Sequence, residues 1–122
     1  MPDTTTDSPI VMHILRADGS MSFHMFEWPE EPGYDRIDAL IKPILDEDRS
    51  GAEIEHVTYL GDDGERADMF VDEMGALAHL PRNELATHFY RRAALAADPR
   101  LDPEQLPAIY GTACLFSRRV WF

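Results

Sequence analysis

Hydrophobic and polar positions alternate across "MSFHMFEW", Met21–Trp28, with Met21, Phe23 and Met25 set against Ser22, His24, Phe26 and Trp28. A period of two sends successive side chains to opposite faces of a strand. The preceding run "IVMHILRA", Ile10–Ala17, is also rich in β-formers, and the "DGS" between them is turn chemistry, so the two predict a hairpin. "PEEPG" breaks the second strand. After it Ile37, Leu40, Ile41, Ile44 and Leu45 recur at i, i+3, i+4, i+7 and i+8, the stripe of an amphipathic helix. Pro43 inside that pattern costs about 3 kcal/mol. Five buried aliphatic side chains at roughly 1.5 to 3 kcal/mol each outweigh it, and a kinked helix is expected. Its other face, Asp35, Asp38, Lys42 and Asp46, reads as solvated.

"AEIEHVTYL", Ala52–Leu60, alternates as a third strand, and the "GDDG" after it is a turn. "RADMFVD" and "GALAHL" are short apolar runs flanking "DEMG", which predicts a second hairpin with Gly75 supplying a positive φ. Asn83 then stands as an N-cap, Glu84 suits the positive end of the helix dipole, and Leu85, Phe89, Ala93 and Ala96 form a narrow stripe. The proline-rich "ADPRLDPEQLP" ends this helix. "AIYGTACLFSRRVWF" closes the chain as a buried strand, with room for a short terminal one. The element order is therefore approximately ββαβββαβ: two main helices against a mostly antiparallel sheet, an α+β fold. Residues 1–8 read as a frayed tail and 9–122 as one domain.

Charge changes the picture more than composition does. The net charge is −12, and it is unevenly placed: Met1–Gly75 holds 19 acidic and 5 basic residues, Ala76–Phe122 holds 4 and 6. A field of that sign repels nucleic acid and anionic membrane, so direct binding to either is not expected. No run approaches the roughly 18 to 20 apolar residues that span a bilayer, and "MPDTTTDSP" lacks the basic start and apolar core of a signal peptide. A soluble cytoplasmic protein is the expectation. The lone Cys114, in an apolar run, allows no internal disulfide and reads as packing.

Candidate chemistry is sparse. Histidines 13, 24, 56, 79 and 88 include no i, i+4 pair and no HExxH, so no metal site is expected. Asp62 with Asp63 and Asp72 with Glu73 flank turn glycines but lack the ligand count of a calcium loop. No nucleophile elbow, phosphate-binding loop or dinucleotide fingerprint is present, and neither catalysis nor a cofactor is expected.

One stretch carries a resemblance. "DEMGALAHLPRNELA", followed near the C-terminus by the glycine-bearing strand "AIYGTACLF", resembles a family of small uncharacterised domains common in phages, plasmids and other mobile elements. The likeness covers roughly Met12 to Phe116, with its distinctive part at Gly75–Ala86 and Gly111. The chain departs from the pattern in the insertion Arg91–Pro107 and the aromatic end Val120–Phe122. The resemblance implies mobile-element origin and carries over no catalytic residue. Gly75, Pro81, Asn83 and Gly111 each have a mechanical reading as turn, strand stop, cap and close approach.

Three functional readings follow. The leading one is a non-enzymatic acidic interaction protein that presents Glu53, Glu55, Asp62, Asp63, Glu65, Asp68, Asp72 and Glu73 to a basic host or element protein. Its extension is inhibition of a nucleic-acid-binding enzyme by covering its phosphate-binding surface. The alternative is a nucleotide or anion module at the second helix's N-terminus, using His79, Asn83 and Glu84. The third is a homo-oligomer joined through Trp121 and Phe122.

Overall fold

A computed structural model describes residues 8–60 and 66–121. Strands β1 (Ser8–Leu15) and β2 (Met21–Trp28) form the first hairpin in unbroken register, from Ser8 opposite Trp28 to Leu15 opposite Met21. Helix α1 (Tyr34–Leu45) follows, then β3 (Ile54–Leu60), β4 (Arg66–Asp72), helix α2 (Glu84–Ala97), a single 3-10 turn (Pro103–Gln105) and β5 (Ala113–Phe116). The sheet runs β2-β1-β5-β4-β3, with every pairing antiparallel. The fold is α+β, as the periodicities predict. Ser8 already belongs to β1, and the tail before it lies outside the described residues.

Period-two alternation divides the core in two. Ile10, Met12 and Ile14 of β1, Phe70 of β4 and Cys114 and Phe116 of β5 point to one face, where Ile37, Ile41 and Leu45 of α1 cover them. Leu15, Met69, Val71, Ala113 and Leu115 point to the other, where α2 lays Ala86 against them, flanked by Leu85, Phe89 and Tyr90. One helix therefore lies on each face of a central sheet. Four-residue β5, with all its side chains buried, is the shared partition. Pro43 lies within α1 at an exposed position of its last turns. Ala96, expected in the α2 stripe, is exposed, while Ala86 and Ala93 carry the buried contact.

One predicted strand is absent. "RADMFVD" pairs with β3 and β5, and "GALAHL" instead makes consecutive turns. The amide of Ala78 donates to the Met74 carbonyl at 2.8 Å, and Leu80 donates to Gly75 at 3.0 Å past a left-handed His79, φ 58°. Ala, Leu and Met favour this helical turn, and a left-handed residue closes it as at a helix C-terminus. Gly75 does not supply a positive φ. A Cβ there would sit 2.6 Å from the Tyr110 carbonyl oxygen, so close approach is what excludes a side chain. The terminal Ser117–Trp121 forms no strand.

Candidate functional site

The acidic residues singled out from the sequence separate into two groups with opposite roles. Asp68 and Asp72 share strand parity with Phe70, so β4 turns both carboxylates toward the core on the α1 side. Asp68 is fully buried. Its Oδ2 accepts the amides of Val120 (2.7 Å) and Trp121 (2.8 Å), and its Oδ1 lies at hydrogen-bond distance, 2.6 Å, from Nε2 of His56. His56 in turn stacks on Trp121, with ring centroids 5.1 Å apart and planes at 14°. Trp121 also meets Tyr34 edge-on. Asp68 thus pins the end of the chain across the sheet.

Asp72 is likewise internal. Its Oδ2 accepts Nε of Arg49 at 2.6 Å, and its Oδ1 accepts the amides of Glu53 and Met74. Burial pushes its pKa up, but the Arg49 hydrogen bond and the two amides outweigh that and leave it below the ordinary carboxylate value. A depressed native pKa adds stability above the unfolded value near 3.9 and loses it as pH falls through the lower native one. Asp72→Ala should cost about 2 kcal/mol at pH 7, and the gap to wild type should close below about pH 4, read as urea midpoints across pH. A gap that stayed constant down to pH 2 would deny the ion pair this role.

Asp68 and Asp72 are therefore not part of an exposed acidic face, a correction with a plain cause: both lie on the core side of β4. Asp62, Asp63 and Glu65 lie outside the described residues. Glu53, Glu55 and Glu73 are exposed. The Glu73 amide donates to the Glu53 carbonyl at 2.7 Å, which binds the start of β3 to the end of β4.

Two of these exposed carboxylates border a cleft. Glu55 and Glu73 line a half-open volume of about 460 Å³ between edge strand β3, helix α2 and the segment 107–110. Its floor is Val57 and Val71, and Tyr90 and Tyr110 complete the wall. The lining combines negative charge at the rim, aliphatic surface below and two aromatic rings. Sequence reasoning missed both tyrosines, because the loop that brings Tyr110 beside α2 has no periodic pattern.

The alternative site is differently occupied. Asn83 is buried, its Oδ1 accepts the Ala86 amide at 3.0 Å, and its Nδ2 donates to the carbonyls of Leu15 and Gly111, each at 2.8 Å. The cap expected there is present, and the side chain's amide hydrogens are already engaged. His79 is exposed on its turn, and Glu84 is exposed and paired with Arg82 at 2.7 Å. A separate groove along α2 has Arg82, Arg91 and Arg92 in its lining.

Gly111 both holds a positive φ of 83° and receives Leu80, whose Cδ1 would stand 2.8 Å from an added Cβ. Its amide donates to the Pro81 carbonyl, and that of Asn83 to Ile109, each at 2.8 Å. The two separated parts of the distinctive pattern, Gly75–Ala86 and Gly111, are thus one packed junction.

Among the described residues no three His, Cys, Asp or Glu side chains converge as a metal site. His13 pairs loosely with Phe23 and His56 with Phe70, on opposite faces of the sheet. Burial pushes the Cys114 thiol up to about 12, so it is protonated and inert at neutral pH. No helix among the described residues is long and apolar enough to cross a membrane. Comparison with protein-family models, with curated proteins and with solved structures finds no match to this chain.

Proposed function

We propose that the protein is a non-enzymatic acidic interaction module that takes a basic segment of another protein into the cleft beside β3. The observation that carries this reading is the pairing of Glu55 and Glu73 at the rim with the aliphatic floor of Val57 and Val71. A lysine or arginine is apolar along its stem and charged at its tip. Laid on that floor, it keeps its head at the carboxylates, and the faces of Tyr90 or Tyr110 add a cation–π attraction of roughly 0.5 to 1 kcal/mol. The net charge of −12 favours encounter with such a partner and disfavours anions. A basic partner surface that normally holds phosphate would be blocked by this occupancy. Inhibition of a nucleic-acid-binding enzyme, in a mobile-element setting, is the extension of the proposal.

The test is fluorescence anisotropy with a labelled peptide of alternating Lys and Leu. Reversing Glu55 and Glu73 to lysine should weaken binding about tenfold, and raising salt should weaken the wild type as exposed charges are screened within about 8 Å. The double reversal Asp35→Lys with Asp38→Lys changes net charge equally on α1, across the sheet from the cleft. It should leave affinity within about twofold. Equal losses from the two reversals would mean only a diffuse field and would defeat the cleft.

A further inference from the structure

The sheet has two free edges, β2 and β3, and they are built differently. Edge strands invite pairing with another chain unless charge, proline or a bulge prevents it. Glu55 and the adjacent Glu53 guard β3. By contrast β2 is eight residues long, pairs with β1 without a bulge, and contains no proline and no Lys or Arg. Its one carboxylate is Glu27, near the end.

The unguarded edge also carries exposed apolar surface. Met21, Phe23 and Met25 are 55%, 61% and 70% exposed. They share the α2 face of the sheet, but α2 packs toward β3 and leaves this end uncovered. The hydrogen bonding of the sheet shows which backbone groups are free. The Arg16 amide donates to the Ser20 carbonyl, and on the far side of β1 the Ser117 amide donates to Val11. In an antiparallel ladder, hydrogen-bonded and non-bonded pairs alternate. Both bonds give the same phase: Ser22, His24 and Phe26 bond to β1, while Met21, Phe23, Met25 and Glu27 aim their N–H and C=O groups outward. The three residues with wet side chains are therefore also residues with unpaired backbone.

We propose that a second copy of this chain covers β2, the two strands pairing antiparallel about a two-fold axis into a continuous ten-stranded sheet. An antiparallel strand meets its own copy with the same outward groups, so the edge is complementary to itself. The register that uses all four outward residues places Phe23 opposite Met25 of the second copy and Met21 opposite its Glu27, with the axis at His24. This register also answers the charge problem that a chain of −12 poses for self-association. It sets the two Glu27 residues about 20 Å apart at 3.4 Å per residue, well beyond the ~8 Å screening length. A basic partner has no carboxylate cluster to engage on this strand, whereas a copy sets its own Met25 and Phe23 against Phe23 and Met25.

Sedimentation equilibrium of the full chain from 5 to 200 µM tests the proposal. The expected result is a reversible rise from the chain mass of 13.9 kDa toward twice that value, strengthened by salt because the residual repulsion between copies is screened. Amide exchange at Phe23 and Met25 should slow with concentration. Phe23→Lys should hold the mass at 13.9 kDa, and Met25→Lys serves equally should the first variant fold poorly. Leu77→Lys, at a residue 73% exposed outside the strand, should associate like the wild type. A wild-type mass fixed at 13.9 kDa throughout, as expected if β2 serves a different protein or none, overturns the proposal. So does association of both lysine variants at wild-type strength.

Discussion

Replacing Asp68 with alanine should cost about 3 to 5 kcal/mol, a large part of the 5 to 15 kcal/mol typical of a domain. Two limiting responses give similar costs. If the tail stays in place, the amides of Val120 and Trp121 and the Nε2 of His56 lose their shared acceptor, at roughly 1 to 3 kcal/mol for each group left dry. If the tail lifts away, those groups find water, but the burial of Val120 and the packing of Trp121 are lost, roughly 1.5 to 3 kcal/mol for each side chain. Urea unfolding gives the energy, and amide exchange at positions 120 and 121 says which response occurs. Glu53→Ala, an exposed carboxylate, should stay within about 0.5 kcal/mol of wild type. Equal stability of the two variants would return Asp68 to the protein's surface and remove the distinction between internal and rim acids.

The second large effect is expected at Asn83, where substitution by aspartate should be at least as damaging as substitution by alanine. As helix caps, Asn and Asp are near equals, and losing either costs about 1 kcal/mol. Capping is only half of what Asn83 does. Its Nδ2 donates to two buried carbonyls, those of Leu15 and Gly111, and so ties β1, the segment before β5 and the start of α2 together. Alanine removes all three bonds, for a total of about 3 kcal/mol. Aspartate keeps the cap but faces a carboxylate toward two carbonyl oxygens in a dry site, which costs as much or more. If urea unfolding showed Asn83→Asp to be clearly milder than Asn83→Ala, the residue would be a cap and nothing else.

These two side chains show what the sequence makes legible. Helix α1 was readable because Ile37, Ile41 and Leu45 repeat at the helical period within a twelve-residue segment. "GALAHL" was not, because a six-residue apolar run fits a strand or a helical turn equally, and its packing against Tyr110 and Gly111 comes from far along the chain. The roles of the acids were half visible. In "RADMFVD" the parity that puts Phe70 in the core also puts Asp68 and Asp72 there, a signal that counting charges overlooks. Their partners were not visible, since the tail amides at 120 and 121 lie 52 and 53 positions from Asp68. Trp121 illustrates the same limit. As a chain-terminal aromatic it suggested an oligomer contact, yet it stacks on His56 of its own chain, while Phe122 lies outside the described residues.

The acidity of this chain thus does two jobs. Core-side aspartates fasten the tail and the β3–β4 end, and the rim glutamates beside β3 stay exposed, where the proposed basic partner would meet them. Amide chemical-shift mapping during titration with the Lys-Leu peptide tests this division most directly. The largest shifts are expected at Glu55, Val57, Glu73, Tyr90 and Tyr110, while Asp68 and Val120 across the sheet do not move. Shifts that centre on α1, or that spread evenly over every acidic residue, would contradict it.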